Sequence, residues 1–309
     1  MNRVWLLGAG VALALAACGK PDPLAEARRA CAQAEEVEAK IEACTTFIEM
    51  DGAEPGARSQ ALAERGAAYQ EAGDVTNGLR DYAAALELNS DNMAAVKGRA
   101  GILIESGQLD AAQPLVERLL ASGQFQGDAH FFDGAIALTR GDHAAALEAF
   151  DAAIAADPRY APAFANRAAI KQAREDYAGA LADYDRALEI NPQLTPALSG
   201  RCWTRVLQEE GELARARADA DAAVGGDPRN VQAQLCRGLL QLRAGEWEAA
   251  RASYQAALEV EPGNPTALFG RGVARRRSGD NNGREDMNQA RDFAPHVARA
   301  FEDLGVQTY

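Results

Sequence analysis

A 34-residue period is the feature that most limits what this 309-residue chain can fold into. Starts at Ser59, Met93, Gly127 and Ala161 are each 34 residues apart, and further starts follow at Thr195, Val231 and Pro265. The unit from Thr195 is 36 residues long, its two extra residues falling in the turn around Glu209-Glu210, where insertion disturbs packing least. The clearest copy is Ala161 to Leu194, APAFANRAAIKQAREDYAGALADYDRALEINPQL. Phe164, Ala168 and Lys171 stand at i, i+4 and i+7 on one helical stripe, and Ala180, Tyr184 and Ala187 repeat that spacing on a second. Arg174-Glu175-Asp176 is the polar turn between them. Pro162 sits in a first turn, where its missing N–H has no partner to lose, and Pro192 ends the second helix.

The register holds along the chain. Position 8 of successive units is Gly66, Ala100, Gly134, Ala168, Cys202, Gly238 and Gly272, small every time. Position 24 carries Tyr82, Val116, Phe150, Tyr184, Ala220 and Tyr254, with Asn288 in the last unit. Position 32 is Pro158, Pro192, Pro228 and Pro262, but Ser90 and Gln124 in the early units. Small residues are needed where two helices touch closely, and a large one fills the gap beside them.

This pattern resembles the tetratricopeptide repeat, with Lys171 the one departure in the Ala161 unit. The resemblance implies an all-α fold, a right-handed superhelical solenoid of helix-turn-helix hairpins. About seven repeats are expected over residues 57–309, closed by a capping helix from Val297 to Gly305. A cap is required because the final repeat has no neighbour to cover its apolar face. Residues 24–56 carry two more helical patterns, Ala25–Ala34 and Val37–Met50, expected to form a degenerate first hairpin before a break at Gly52 to Gly56.

The amino terminus has a different character. Arg3 precedes an apolar run from Val4 to Ala17, too short to span a bilayer comfortably and shaped like a secretory leader over residues 1–17. Its ending, Leu15-Ala16-Ala17-Cys18, resembles the bacterial lipobox, which implies lipidation at Cys18 and a tether over residues 18–23. The other reading is an ordinary leader cut near Ala17, with Cys18 unmodified. Gly19 stands where Asp marks inner-membrane retention in enteric bacteria, so the expectation is a lipid-anchored, periplasm-facing protein, on the outer rather than the inner membrane.

In an exported protein disulfides persist. Cys31 and Cys44, one on each early helix, are expected to staple that hairpin, with two buried thiols as the alternative. Cys202 and Cys236, in adjacent repeats, form a possible second disulfide that the strict geometry of the bond leaves open.

The net charge of −13 argues against a polyanionic partner, so no nucleic-acid binding is expected. Nor is a catalytic residue, a cofactor, a metal site or a small-molecule substrate. The three histidines, His130, His143 and His296, are in no H-E-x-x-H arrangement, and Asp128, His130 and Asp133 do not share a helix face. Gly270-x-Gly272 has no preceding strand, and Asp280-Asn281-Asn282-Gly283 lacks the alternating ligands of a calcium loop. Arg65, Arg99, Arg167, Arg201, Arg237 and Arg271 occupy position 7 in six of seven units. Such a ladder could hold carboxylates or phosphates, but a place beside the packing residue favours structural bonds to the adjacent repeat. Arg275-Arg276-Arg277 is either a docking point for an acidic partner or a solvated helix face.

The resemblance further implies a concave groove lined by positions 2, 5, 9 and 12 of the first helices, with position 6 beside them. The candidate binding residues are therefore Phe131, Phe132, Asn166, Trp203, Leu235, Phe269 and Arg276. Aromatics with Asn and Arg on such a wall suit an extended or helical peptide, and the expected partner is a protein or peptide of the cell envelope. Lys97 and Asn166 stand alone at positions where carboxylate-clamping repeats place sets of such residues. The alternatives are a spacer with no groove ligand and an accessory part of an envelope enzyme; Trp203 and the phenylalanines could instead be covered by the fold itself.

Overall fold

A computed structural model describes residues 22–208 and 212–308 of the chain. Cys18 and the rest of the leader, and the Glu209-Glu210 insertion, lie outside the described residues. Two compact units divide at Ser106 and Gly107, inside the repeat that starts at Met93.

The first unit holds α1 (Pro23–Gln33), α2 (Val37–Glu49), α3 (Pro55–Glu71), α4 (Val75–Leu88) and α5 (Met93–Glu105). Its helix α3 begins four residues ahead of the periodic start at Ser59, so Gly56, read as part of a break, is helical. The second unit holds α6 (Leu109–Ser122), α7 (Gln126–Thr139), α8 (His143–Ala156), α9 (Ala161–Ala173), α10 (Tyr177–Ile190), α11 (Thr195–Gln208), α12 (Leu213–Gly226), α13 (Val231–Arg243), α14 (Trp247–Val260), α15 (Pro265–Arg277), α16 (Gly283–Phe293) and α17 (Val297–Asp303). No strand occurs among the described residues. Within each unit, helices pack chiefly on their chain neighbours and on the helix two further along, as stacked hairpins do.

Local chemistry places the helix ends. Asp74, Asp142 and Asp176 cap α4, α8 and α10 by accepting N–H bonds from their first turns, and Asn92, Asn230 and Asn264 do the same for α5, α13 and α15. The residue before each of those aspartates has positive φ: Gly73, Gly141 and, exceptionally, Glu175 at 63°. That backbone region disfavours a side chain with a Cβ.

The hairpins interlock through one recurring wedge. Tyr82, Tyr184 and Tyr254 are each no more than 2% exposed. A Cβ added to Gly66 or Gly238 would press on the ring of Tyr82 or Tyr254, and one added to Gly98, Gly200 or Gly270 on the next first helix would overlap Tyr82, Tyr184 or Tyr254. The ring thus fills a slot between position 8 of its own repeat and position 6 of the next. Burying such a ring contributes about 2 kcal/mol.

At one junction the wedge is replaced. Position 24 is Ala220, fully buried, while positions 8 and 6 are Cys202 and Cys236, which form a disulfide with Cα atoms 6.5 Å apart. The bond crosses the slot that a tyrosine fills elsewhere. In the last repeat the register slips: Met287, not Asn288, lies against Gly272, so the sequence alignment there is corrected by one residue.

The arginine ladder is structural, but its main partner lies in its own hairpin rather than the adjacent one. Arg65, Arg167, Arg201 and Arg271 each grip one aspartate through Nε and an Nη, namely Asp81, Asp183, Asp219 and Asp286, at 2.6–3.0 Å. Sequence separations of 16, 16, 18 and 15 record the insertion in one turn and the shortened last repeat. The remaining Nη reaches back to the preceding hairpin: Thr45 from Arg65, Asp151 from Arg167, Asp185 from Arg201 and Gln255 from Arg271. In the repeat from Val231, Arg237 donates to Ser253 at 3.0 Å instead. Cys31 and Cys44 join α1 to α2 through a disulfide with a Cα separation of 4.4 Å, over a core containing Phe47 and Ala61.

Candidate functional site

In the second unit, the face formed by positions 5, 6, 9 and 12 of the first helices α7, α9, α11, α13 and α15 collects the residues expected to bind. Their surroundings separate them into three groups.

On α7 and α9 the wall is aromatic and half-buried. Phe131 lies 6.2 Å from Phe132, 5.8 Å from Phe150 and 5.2 Å from Tyr160, ring centre to ring centre. The Tyr160 hydroxyl donates to Asp128 at 3.1 Å, and burial, reinforced by the Asp128 charge, pushes that phenol well above its ordinary range. Phe131 therefore serves the local core as much as the surface. Asn166 is half-buried and donates to the Pro162 carbonyl at 3.0 Å, within its own helix. Ala169, one turn further, is exposed.

Trp203 on α11 faces the next hairpin. Its Nε1 donates to the Gln232 carbonyl at 3.1 Å, and its ring packs against the cluster that contains Leu235 and Cys236. It remains partly exposed and marks the edge of the accessible wall.

On α13 and α15 the expectation of a groove-lining surface is overturned for two residues. Leu235 is 4% exposed and Phe269 fully buried. Phe269 is covered by α17, with the Phe301 ring 5.0 Å away, and by the Arg291 guanidinium 5.5 Å from its ring centre. Val297, Phe301 and Val306 share one apolar cluster with Leu235, Leu239, Leu242, Phe269 and Val273. The carboxy-terminal helix thus covers the first-helix face as well as the end of the stack. Arg276 is exposed and lines a 280 Å³ cavity with Val273, Arg277 and Thr308. The neighbouring Arg275 bonds Asp286 at 2.8 Å.

The charged groups inside the unit are engaged with one another. Hydrogen bonds to Asp183, outweighing burial, raise the Arg167 guanidinium above its ordinary value. For Arg201 burial works the other way, yet its bonds to Asp219 and Asp185 hold the shift upward. Lys171 adds a 2.7 Å pair to Asp183. These arginines hold hairpins together, and Arg167 with Lys171 and Arg174 also lines an open cavity of about 410 Å³ beside Asp151 and Asp176. Among the described residues one group has metal-ligand spacing, Cys31, Cys44 and Glu64, but its two sulfurs are bonded to each other. No described helix is long and apolar enough to cross a membrane.

Two features escaped sequence reading. The aspartates that fix the arginine ladder carried a usable signal, since Asp81 and Asp183 recur 16 residues after their arginines. The covering role of Val297 and Phe301 carried only the i, i+4 spacing of any amphipathic helix.

Comparisons with known proteins agree with this architecture. Models of the family described as Tetratricopeptide repeat match residues 69–130, 102–161, 205–259 and 235–282, together more than half of the chain. No curated protein matches the sequence significantly. Among solved structures, the chain is similar to a tetratricopeptide repeat protein from Parabacteroides merdae ATCC 43184, with a TM-score of 0.57 and 18% identity over 86% of this chain and 97% of that one. It is also similar to the Cut9-Hcn1 hetero-tetramer of the APC/C, with a TM-score of 0.60 and 14% identity over 88% of this chain and 53% of that one. At these identities the likeness is one of fold. With its helical hairpins, its small-residue and aromatic register and the family matches all in agreement, the chain belongs to the tetratricopeptide repeat family, whose repeats form protein-interaction scaffolds.

Proposed function

We propose that this is a lipid-anchored scaffold of the bacterial cell envelope, facing the periplasm and holding a protein or peptide partner on the first-helix face of α7, α9 and α11. The observation that carries the location is the use of cysteine. All four cysteines among the described residues are joined in two disulfides, and such bonds persist where the compartment is oxidising. The leader-like run that ends at Cys18 supplies the matching route of export and the anchor. The outer membrane is the proposed site, on the strength of Gly19.

The binding wall runs from half-buried Phe132 and Asn166 through exposed Ala169 to half-buried Trp203. It offers aromatic surface, an amide and an indole edge, a mixture suited to a peptide segment. The engagement of the charged groups with one another supports a non-catalytic role.

Two measurements test the reading. Mass spectrometry of the mature amino terminus should find a lipid-modified Cys18, and an unmodified terminus beginning elsewhere removes the anchor. Crosslinking in intact cells should capture a protein partner whose yield drops several-fold when Phe132 and Trp203 are replaced together by Ala. An unchanged set of crosslinked proteins would refute the wall as the binding surface.

A further inference from the structure

We infer that Val297–Thr308 is an internal ligand of this scaffold, a strap seated where a partner helix of the same pattern would dock. The inference rests on the scaffold reading only in placing ligands on the first-helix face.

Four observations carry it. First, the strap lies on that face. Its Phe301 ring lies 5.0 Å from Phe269 at position 5 of the last repeat, and Val297, Phe301 and Val306 share a cluster with Val273 at position 9 and with Leu235, Leu239 and Leu242 of the repeat before it. The tail then runs past the Arg243 guanidinium at Gly305, and Arg277 donates to the Gln307 carbonyl at 3.1 Å.

Second, the strap has the form of a docking peptide. Val297 and Phe301 stand at i and i+4 on a helix of only seven residues, Leu304 follows at i+7 as its C-cap, and one aromatic anchor lies at the centre. A helix that short does not hold its shape in water, so its order depends on the seat.

Third, the fit is incomplete. The hydroxyls of Tyr82 and Tyr184 donate to Gln70 and Gln172, at position 12 of their repeats. Position 12 of the Tyr254 repeat is Leu242. The Tyr254 hydroxyl is buried with no hydrogen-bond partner among the described residues, and its ring lies 6.3 Å from that of Phe301. A buried donor without an acceptor is costly, and a ligand that brings an acceptor removes the cost.

Fourth, Arg276 and Arg277 rim the seat, while the strap turns Glu302 toward its own Thr308 and Asp303 toward its own Arg299. A local basic rim in a protein of net charge −13 suits a carboxylate-bearing ligand. The displacing partner is thus an amphipathic helix with an aromatic residue at the middle of an i, i+4, i+7 stripe. It carries a carboxylate or amide acceptor toward Tyr254 and acidic residues toward the arginine rim.

The test uses the full mature chain and, as probe, a fluorescent synthetic peptide spanning His296 to Thr308. Phe301→Asp should loosen the strap and bind the probe at least tenfold more tightly than the unaltered chain does. Equal affinity in the two proteins, with the variant shown to be helical by circular dichroism, overturns the proposal. Hydrogen exchange on the unaltered chain gives a second reading that needs no variant. Amides of Phe301 to Val306 should exchange at least a hundredfold faster than those of Leu268 to Ala274 in α15. Equal protection would mean that the strap opens only when the repeats unfold, and overturns it too. Probe binding does not involve Phe132 or Trp203, so failure here leaves the wall on α7, α9 and α11 to stand or fall by cellular crosslinking.

Discussion

Tyr184 and Tyr254 occupy the same slot of the repeat with opposite hydrogen-bonding outcomes. Tyr184 donates to Gln172 at 3.3 Å, and Gln172 also accepts from Thr204 at 2.9 Å. Tyr254 is fully enclosed and its hydroxyl lacks an acceptor. Replacing Tyr184 by Phe should therefore cost about 1 kcal/mol, whereas Tyr254→Phe should be neutral or stabilising by up to about 1 kcal/mol. Urea unfolding of the two variants checks the contrast, and equal losses would contradict it. A second residue-scale outcome concerns Glu175, whose φ of 63° stands where Gly73, Gly107, Gly141, Gly245 and Gly279 serve the other turns. Glu175→Gly relieves the Cβ clash and should raise stability by roughly 0.5–1 kcal/mol, net of the greater freedom of glycine in the unfolded chain. Its melting temperature is the readout.

At the scale of the element, the junction of α11, α12 and α13 shows two chemistries solving one packing problem. A disulfide between Cys202 and Cys236 spans the slot beside Ala220, and a tyrosine ring spans it at the neighbouring junctions. Replacing both cysteines by Gly should cost about 3 kcal/mol, through the lost cross-link and the void left behind. Adding Ala220→Tyr to that variant should restore a large part of the loss, because Gly at positions 8 and 6 is the environment that Tyr254 has between Gly238 and Gly270. A triple variant no more stable than the double variant would show the slot differs in shape. Sequence alone supplied the components here, Cys202 facing Ala220 at a repeat's close contact. The pairing itself had to be read from coordinates, because a bond between cysteines depends on a Cα separation that no spacing specifies.

For the molecule as a whole, buried phenols set the response to alkali. Burial pushes Tyr82 up to about 12 from the ordinary phenol value of about 10, with the Asp81 charge adding to it, and burial alone raises Tyr184 and Tyr254. The folded state holds these protons more tightly than the unfolded chain does. Their contribution is therefore complete below about pH 10 and is lost as pH rises through the folded values. Stability should fall steeply above about pH 10, with phenolate absorbance of the buried rings appearing together with the loss of helical signal. Ionisation of every tyrosine before any loss of helix would contradict the burial. The acidic charge of the chain adds self-repulsion in the same direction.

The repeat register was legible in the residues because helix packing has a local rule: a small side chain, a large one and a turn must recur at fixed intervals. That rule determined the all-helical hairpins, the buried tyrosines and the structural use of the arginines. It also made the groove positions countable, so Phe131, Phe132, Asn166 and Trp203 could be named in advance. Whether a groove position faces solvent was decided only by tertiary structure. Phe269 and Leu235 satisfy the same count, yet both are buried, and Phe269 is so because Phe301 returns from beyond the last repeat to cover it. Contacts between segments so far outside the repeat unit carry no periodic signal, since they depend on where a chain end lands on a surface already built.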